Sequence, residues 1–377
     1  MKIALVHDYL TQKGGAERVF ELLCRRFPDA DIYTSLYSPQ DTINVGDRFV
    51  HTTKLQAIPG ASQNFRLLAP FYFPAFEALD LQQYDLIISS TTSFAKSVIK
   101  HPDAYHICFC HNITRFLWDT RTYIDQYKTY KAFLPVIQPV FQKLREIDLV
   151  HAQKPDLYIS NSTIVTDRIQ QTYNQPAITI NYPIDVNQFE FSDQKDDFYL
   201  MSSRLLGYKR IDVVVEAFNW LGWPLIITGD GPERERLELA ALPNISFLGH
   251  VSDTQRKSLM SRAKSVIVAA LEDYGLVPIE ANVSGTPVVA YGAGGVLDTQ
   301  VPGKTGVFFS RQSPEAVHHA LLKANTIEWN YRQIREHVLK NFTEEVFFER
   351  VMKIVAESYD KHRAIAESSS AQGRAAG

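Results

Sequence analysis

Cysteine is scarce, with three among 377 residues, too few for a disulfide framework. Cys108 and Cys110 share one face of a strand pattern and precede His111. No second ligand pair follows at a zinc-like spacing, so both are expected to pack as small apolar residues. Basic charge is not in excess either: 39 Lys and Arg face 42 Asp and Glu, for a net charge of −3. That balance excludes general nucleic-acid binding through phosphate neutralisation. No apolar run approaches the roughly 18 residues of a membrane span. Met1-Lys2 lead straight into a strand pattern, so neither a span nor a signal peptide is expected, and the cytoplasm is the expected setting. The glycine fingerprint of dinucleotide oxidoreductases is also missing. Its nearest match, Gly229-Asp230-Gly231-Pro232-Glu233-Arg234, lacks the third glycine and carries a large arginine where a helix must pack closely. There is no glycine–lysine phosphate loop of the P-loop type, and no Asp-x-Asp motif with supporting context.

What is present is a folded composition, 45% hydrophobic and 12% aromatic, on a chain long enough for two domains. Short apolar runs read as strands at 2–7, 85–89, 105–110, 156–160 and 177–181. A second series begins at 198–202 and continues at 225–228, 245–248, 265–270, 287–290 and 306–309. Helical patterns lie between them. Buried strands alternating with helices imply an α/β architecture with parallel sheets covered on both faces. Two series imply two doubly wound, Rossmann-like domains facing an interdomain cleft. The expected limits are 1–182 for the first domain, 183–197 for a turn-rich linker, and 198–345 for the second domain. A helix over 346–366 is expected to return to the first domain, ahead of a disordered tail at 367–377.

Polar and glycine residues recur just past the strands, where such sheets bind ligands. Gly14-Gly15-Ala16-Glu17 follows the first strand, His111 closes another, and Arg204 and Gly229 follow two more. Most informative is Glu272-Asp273-Tyr274-Gly275-Leu276-Val277-Pro278-Ile279-Glu280. It places two carboxylates roughly 8–12 Å apart astride a helix start. The free amides and positive dipole of that start suit a diphosphate. The carboxylates suit the diols of a hexose and a ribose on either side. An ordinary amphipathic helix with two exposed glutamates is the other reading of this segment taken alone.

Together these residues resemble the family-4 retaining glycosyltransferases, which have the GT-B fold. Gly14-Gly15-Ala16-Glu17 is similar to their N-terminal glycine loop, and the stretch Ser202-Ser203-Arg204 to Lys209-Arg210 to their donor-phosphate segment. Gly229-Asp230-Gly231-Pro232, Phe247 to Val251, the Glu272/Glu280 pair and Gly303-Lys304-Thr305-Gly306 follow in the family's order. Val6 to Tyr9 and Cys110 to Asp119 resemble the branch that builds exopolysaccharides and O-antigens. One departure is Asp298, where the family often has glutamate.

The resemblance implies transfer of a hexose from a nucleoside-diphosphate sugar, with retention, to a saccharide acceptor, lipid-linked in this branch, with 1–182 binding the acceptor and 198–345 the nucleotide sugar. A UDP-hexose such as UDP-glucose is favoured and GDP-mannose comes next. Catalytic roles fall to Glu272, His111, Arg204 and Lys209. The donor would be held by Gly15, Arg204, Lys209, Gly229, His250, Val251, Asp253, Tyr274, Gly275, Leu276 and Glu280. Asp8 and His111 would face the acceptor. Arg204 can fork two phosphate oxygens while Lys209 adds a point charge, so neither a metal nor a cofactor is expected. Taken without the resemblance, Arg204 and Lys209 also read as an exposed basic pair, and His111 as a structural histidine.

Arg121, Lys128, Lys131 and Lys143 interleave with Phe116, Trp118, Tyr123, Tyr127, Tyr130 and Phe133, and Phe71-Tyr72-Phe73 lies in a second aromatic stretch. Peripheral contact with an anionic bilayer and ordinary core packing are both open for these segments. Two alternatives to a transferase are an enzyme of the same architecture, such as a nucleotide-sugar epimerase or a pyridoxal-dependent phosphorylase, and a non-catalytic partner subunit that binds nucleotide sugar.

Overall fold

The computed structural model of the chain describes residues 1–119 and 134–375. It divides into two compact units, Met1–Ile180 with Arg350–Gly377, and Asn181–Glu349. In the first, strands β1 (Ile3–His7), β2 (Asp31–Thr34), β3 (Val50–Thr52), β4 (Leu86–Thr91), β5 (Tyr105–Cys110), β6 (Leu157–Ser160) and β7 (Ala177–Thr179) form one sheet. Their order is β3-β2-β1-β4-β5-β6-β7, and every pairing is parallel. β4 and β5 are buried along their whole length, the mark of a strand covered on both faces. Strand β2 and the edge strand β3 did not stand out as runs in the sequence.

The second unit carries β8 (Tyr199–Ser202), β9 (Leu225–Thr228), β10 (Ile245–Gly249), β11 (Val266–Val268), β12 (Val288–Tyr291) and β13 (Gly306–Phe309). Their order is β10-β9-β8-β11-β12-β13, again parallel throughout. One core face gathers Val213, Val214, Phe218, Ile227, Val289 and Leu321; the other gathers Leu200, Met260, Val266, Ala281 and Val288. Each unit therefore has its own core between sheet and helices. In both sheets the chain changes direction of travel at the centre, beside β1 and β4 in one and beside β8 and β11 in the other. A crevice opens at the carboxyl ends of such a reversal.

Residues 183–197 do not form a free linker. Ile184 N–H donates to the Phe342 carbonyl, Ser192 N–H to Ser284 and Asp196 N–H to Arg262, so the segment is sewn onto the second unit. The change of unit falls earlier, between Ile180 and Asn181. The last helix runs from Glu344 to Ala375, so the backbone is helical through most of the tail expected to be disordered. From Arg350 on, it groups with the first unit, where His362 Nε2 lies 3.2 Å from the Asp103 carbonyl and its ring packs on Tyr105. Among the described residues, no helix is long and apolar enough to cross a membrane.

Candidate active site

In the second unit, Arg204 and Lys209 follow β8, Gly229 follows β9, His250, Val251 and Asp253 follow the edge strand β10, and Glu272 to Glu280 follow β11. Lys209 sits in a 3-10 turn after β8, and its Nζ donates to Glu272 Oε1 at 2.6 Å. Both side chains are largely covered, at 15% and 24% exposure. The basic pair is thus not a pair in the structure: Lys209 is tied to a carboxylate, while Arg204 is exposed and its side chain makes no hydrogen bond or ion pair among the described residues. Arg204 is the cation left able to fork an incoming anion.

Glycines hold these loops together. Gly229 has φ +110, and a Cβ there would stand 2.0 Å from the Ser203 carbonyl oxygen. Its N–H donates to Gly249 at 2.7 Å, and Leu205 N–H donates to Asp230 at 2.9 Å. Gly229 accordingly serves the close packing of three strand ends. The Glu272 loop is fixed in the same way. Gly295 N–H donates to the Glu272 carbonyl at 2.9 Å, and a Cβ on Gly294 would meet that carbonyl oxygen at 2.3 Å.

The helix after Glu272 runs from Leu276 to Val283, one residue in from each expected end, with Gly275 at φ +82 as its cap. No side chain caps it, so its first amides and dipole are available to an anion. The Tyr274 side chain is buried and its hydroxyl donates to the Tyr182 carbonyl. What Tyr274 and Leu276 can give a ligand is backbone. Glu280 is also buried, at 6% exposure, and accepts from Arg256 Nη1 at 2.6 Å. Arg256 reaches Asp253 at 2.8 Å as well, and Lys257 adds a second cation to Asp253. These two cations hold the Asp253 carboxyl below its ordinary range. Arg256 was missed by sequence reasoning, although its spacing from Asp253 on one helix face was a legible signal. His250 is exposed, with no side-chain hydrogen bond or ion pair among the described residues, and Val251 is partly covered.

In the first unit Asp8, expected to face the acceptor, is engaged by a loop. Its carboxylate is buried and accepts six hydrogen bonds: Thr91 Oγ1, Thr92 N and Oγ1, Ser93 N, Phe94 N and Ala95 N. A carboxylate engaged in this way anchors the Thr91–Ala95 loop. Gly15 opens the helix Gly15–Arg26, and beyond its own turn no atom of the described residues lies within 4 Å of where its Cβ would stand. Its neighbour Gly14 is different, since a Cβ there would press on Glu17 Oε2 at 2.6 Å.

His111 lies at the end of β5, 7% exposed, with Nε2 2.7 Å from Ser90 Oγ. Burial pushes its imidazole down to about 3, so the ring is neutral at physiological pH. Ser90 also meets His7 Nδ1 at 3.0 Å, and His7 Nε2 faces Glu17 Oε1 at 3.8 Å. Of the aromatic stretches, Tyr72 and Phe73 are buried and Phe71 is exposed. Trp118 Nε1 donates to Asp148 at 2.7 Å, and Phe116 packs on Phe94. Arg121, Tyr123, Tyr127, Lys128, Tyr130, Lys131 and Phe133 lie outside the described residues. Lys143 pairs with Glu146 at 2.9 Å. Core packing therefore accounts for Phe116, Trp118, Tyr72 and Phe73.

Two parallel Rossmann-like sheets, each with its polar loops at the central carboxyl ends, define the GT-B class. Residues 185–341 match the family model described as glycosyl transferases group 1, and residues 13–188 that of glycosyltransferase family 4. Each match covers less than half of the chain, and what the two sheets and the solved structures show together is the GT-B fold. Sucrose-phosphate synthase from Thermosynechococcus elongatus superposes with a TM-score of 0.71 at 17% identity, covering 96% of this chain and 100% of that one. Anabaena Alr3699/HepE in complex with UDP gives 0.66 at 18% identity, covering 95% and 100%. D-rhamnosyltransferase WbpZ of Pseudomonas aeruginosa is 23% identical over 58% of this chain and 60% of its own length. O-antigen chain mannosyltransferase C of Escherichia coli is 21% identical over 55% and 58%. The chain thus spans less than two thirds of the length of these curated relatives.

Proposed function

We propose that the chain is a retaining, family-4 hexosyltransferase that moves a hexose from a nucleoside-diphosphate sugar to a saccharide acceptor in polysaccharide synthesis. The observation that carries this reading is the Lys209–Glu272 pair beside the uncapped helix at Gly275. A diphosphate leaving group gathers negative charge as the bond to the sugar breaks. Arg204, Lys209 and the amides after Gly275 are the groups that stabilise it, and removing one such donor costs about 3–4 kcal/mol of transition-state stabilisation. Glu272, tied to Lys209, orients the hexose hydroxyls, and Glu280, held by Arg256, takes the ribose diol. The departing phosphate then accepts the proton of the acceptor hydroxyl on the same face of the sugar, which keeps the anomeric configuration. In this reading the cations supply the positive charge, so neither metal nor cofactor takes part.

UDP-glucose or a similar UDP-hexose is the proposed donor, in keeping with the UDP and UDP-glucose complexes of HepE. GDP-mannose stands second because one relative is named a mannosyltransferase. The acceptor is proposed to be lipid-linked and met at the cytoplasmic face of a membrane.

Calorimetric titration of UDP and GDP in EDTA, against the native chain and Arg204→Ala, tests the core of this reading. Micromolar binding of one nucleotide, weakened at least tenfold by the substitution, is the expected result. If neither nucleotide binds with or without magnesium, the transferase reading falls and a non-catalytic role moves ahead of it.

A further inference from the structure

Four polar side chains of the first unit form a line that ends on His111: Glu17, His7, Ser90 and His111. All are buried, none above 7% exposure. The line starts at a carboxylate that accepts from Gln12 Nε2 at 3.0 Å, and contact with His7 keeps its carboxyl below the ordinary range against the cost of burial. Glu17 is therefore ionised and can only accept. The His7 tautomer that serves this carboxylate carries its proton on Nε2, which faces Glu17 Oε1 at 3.8 Å. Its Nδ1 is then a lone pair, which the Ser90 hydroxyl fills as donor across 3.0 Å. Having spent its one proton, Ser90 Oγ can only accept from His111 Nε2, 2.7 Å away.

From this order of donors we infer that Glu17, acting through His7 and Ser90, is a positioning residue that fixes the proton of the neutral His111 ring on Nε2. Nδ1 of His111 is thereby an acceptor, and whatever meets it, from the protein or from a ligand, must donate. A saccharide hydroxyl satisfies that demand, whereas a phosphate oxygen does not. The link to a saccharide rests on the transferase reading; the proton order does not. The backbone supports the line, because His7 and Ser90 are register partners of β1 and β4 and His111 N–H donates to Thr91 at 2.9 Å.

Long-range 15N–1H spectra of histidine-labelled protein at pH 8 test the order directly, with the His111 signal assigned by its loss in His111→Gln. The native ring is expected as the Nε2–H tautomer. In Glu17→Gln an amide can donate to His7, and in His7→Phe the Ser90 proton is freed for His111. Both substitutions should raise the Nδ1–H fraction of His111 several-fold. A native Nδ1–H tautomer, or a ratio unmoved in whichever variant folds, overturns the inference. Neither outcome depends on transfer activity, so failure of the transferase reading would show separately as absent nucleotide binding.

Discussion

At the scale of single residues, the clearest separation is between polar groups with a structural use and those without one. Asp8 belongs to the first kind. Removing its carboxylate in Asp8→Ala leaves buried donors from Thr91 to Ala95 unpaired. Unfolding free energy should then fall by at least about 3 kcal/mol, which urea denaturation measures. Unchanged stability with a raised acceptor KM would return Asp8 to a binding role. Arg204 is of the second kind. Arg204→Ala should keep native stability within about 0.5 kcal/mol while transfer falls by about 10²–10³-fold in kcat, so parallel denaturation and rate measurements separate the two classes. Residue types alone did not reveal this sorting. Asp8 and Arg204 both stand just past strands as charged side chains, and only the course of the Thr91–Ala95 loop shows that one of them is consumed by backbone amides.

Secondary-structure elements add constraints that neighbouring residues share. The Glu272 loop and the Gly294-Gly295 turn are pressed backbone to backbone, with φ +77 at Gly294. Gly294→Ala must move one against the other and should cost more than about 1 kcal/mol, with nucleotide affinity falling in step. Thermal melts paired with calorimetry would expose this; a stable variant that binds normally means the turn does not hold the loop. The E-x7-E spacing was legible because a helix start imposes it, but the turn that clamps it lies some twenty residues downstream and shares no motif with it. Strand β5 gives a second test. Burial pushes His106 and His111 down to about 3 in the folded chain, against about 6.5 when unfolded. Between those values the unfolded chain binds more protons, so stability present above pH 6.5 is lost as pH falls toward 3. The slope should reach about 1.4 kcal/mol per pH unit for each histidine. Urea titrations at pH 7, 6 and 5 check it, and a flat series would mean that water reaches these rings.

For the whole molecule, the alternation of short apolar runs with helices was enough to indicate two parallel sheets, because strands buried on both faces carry continuous apolar sequence. The place where one unit gives way to the other was not legible. Pro183 and the charged run Asp193 to Asp197 have the composition of a linker, yet Ile184, Ser192 and Asp196 spend their amides on the second unit. That division makes a last prediction specific. If the nucleotide is held by Arg204, Lys209, Glu272 and Glu280, its binding energy is delivered within Asn181–Glu349. Nucleotide at a hundredfold excess over Kd stabilises its binding unit by about 2.7 kcal/mol. Hydrogen exchange should slow at Ser203–Lys209, Gly229–Gly231, His250–Lys257 and Glu272–Glu280. The amides of β1 and β4 have no share in that contact and serve as the internal reference. Protection confined to the first unit would move the nucleotide away from the Glu272 loop and remove the electrostatic basis of the proposed reaction. Protection centred on residues 272–280 that disappears in Lys209→Ala would tie the nucleotide to the Lys209–Glu272 pair.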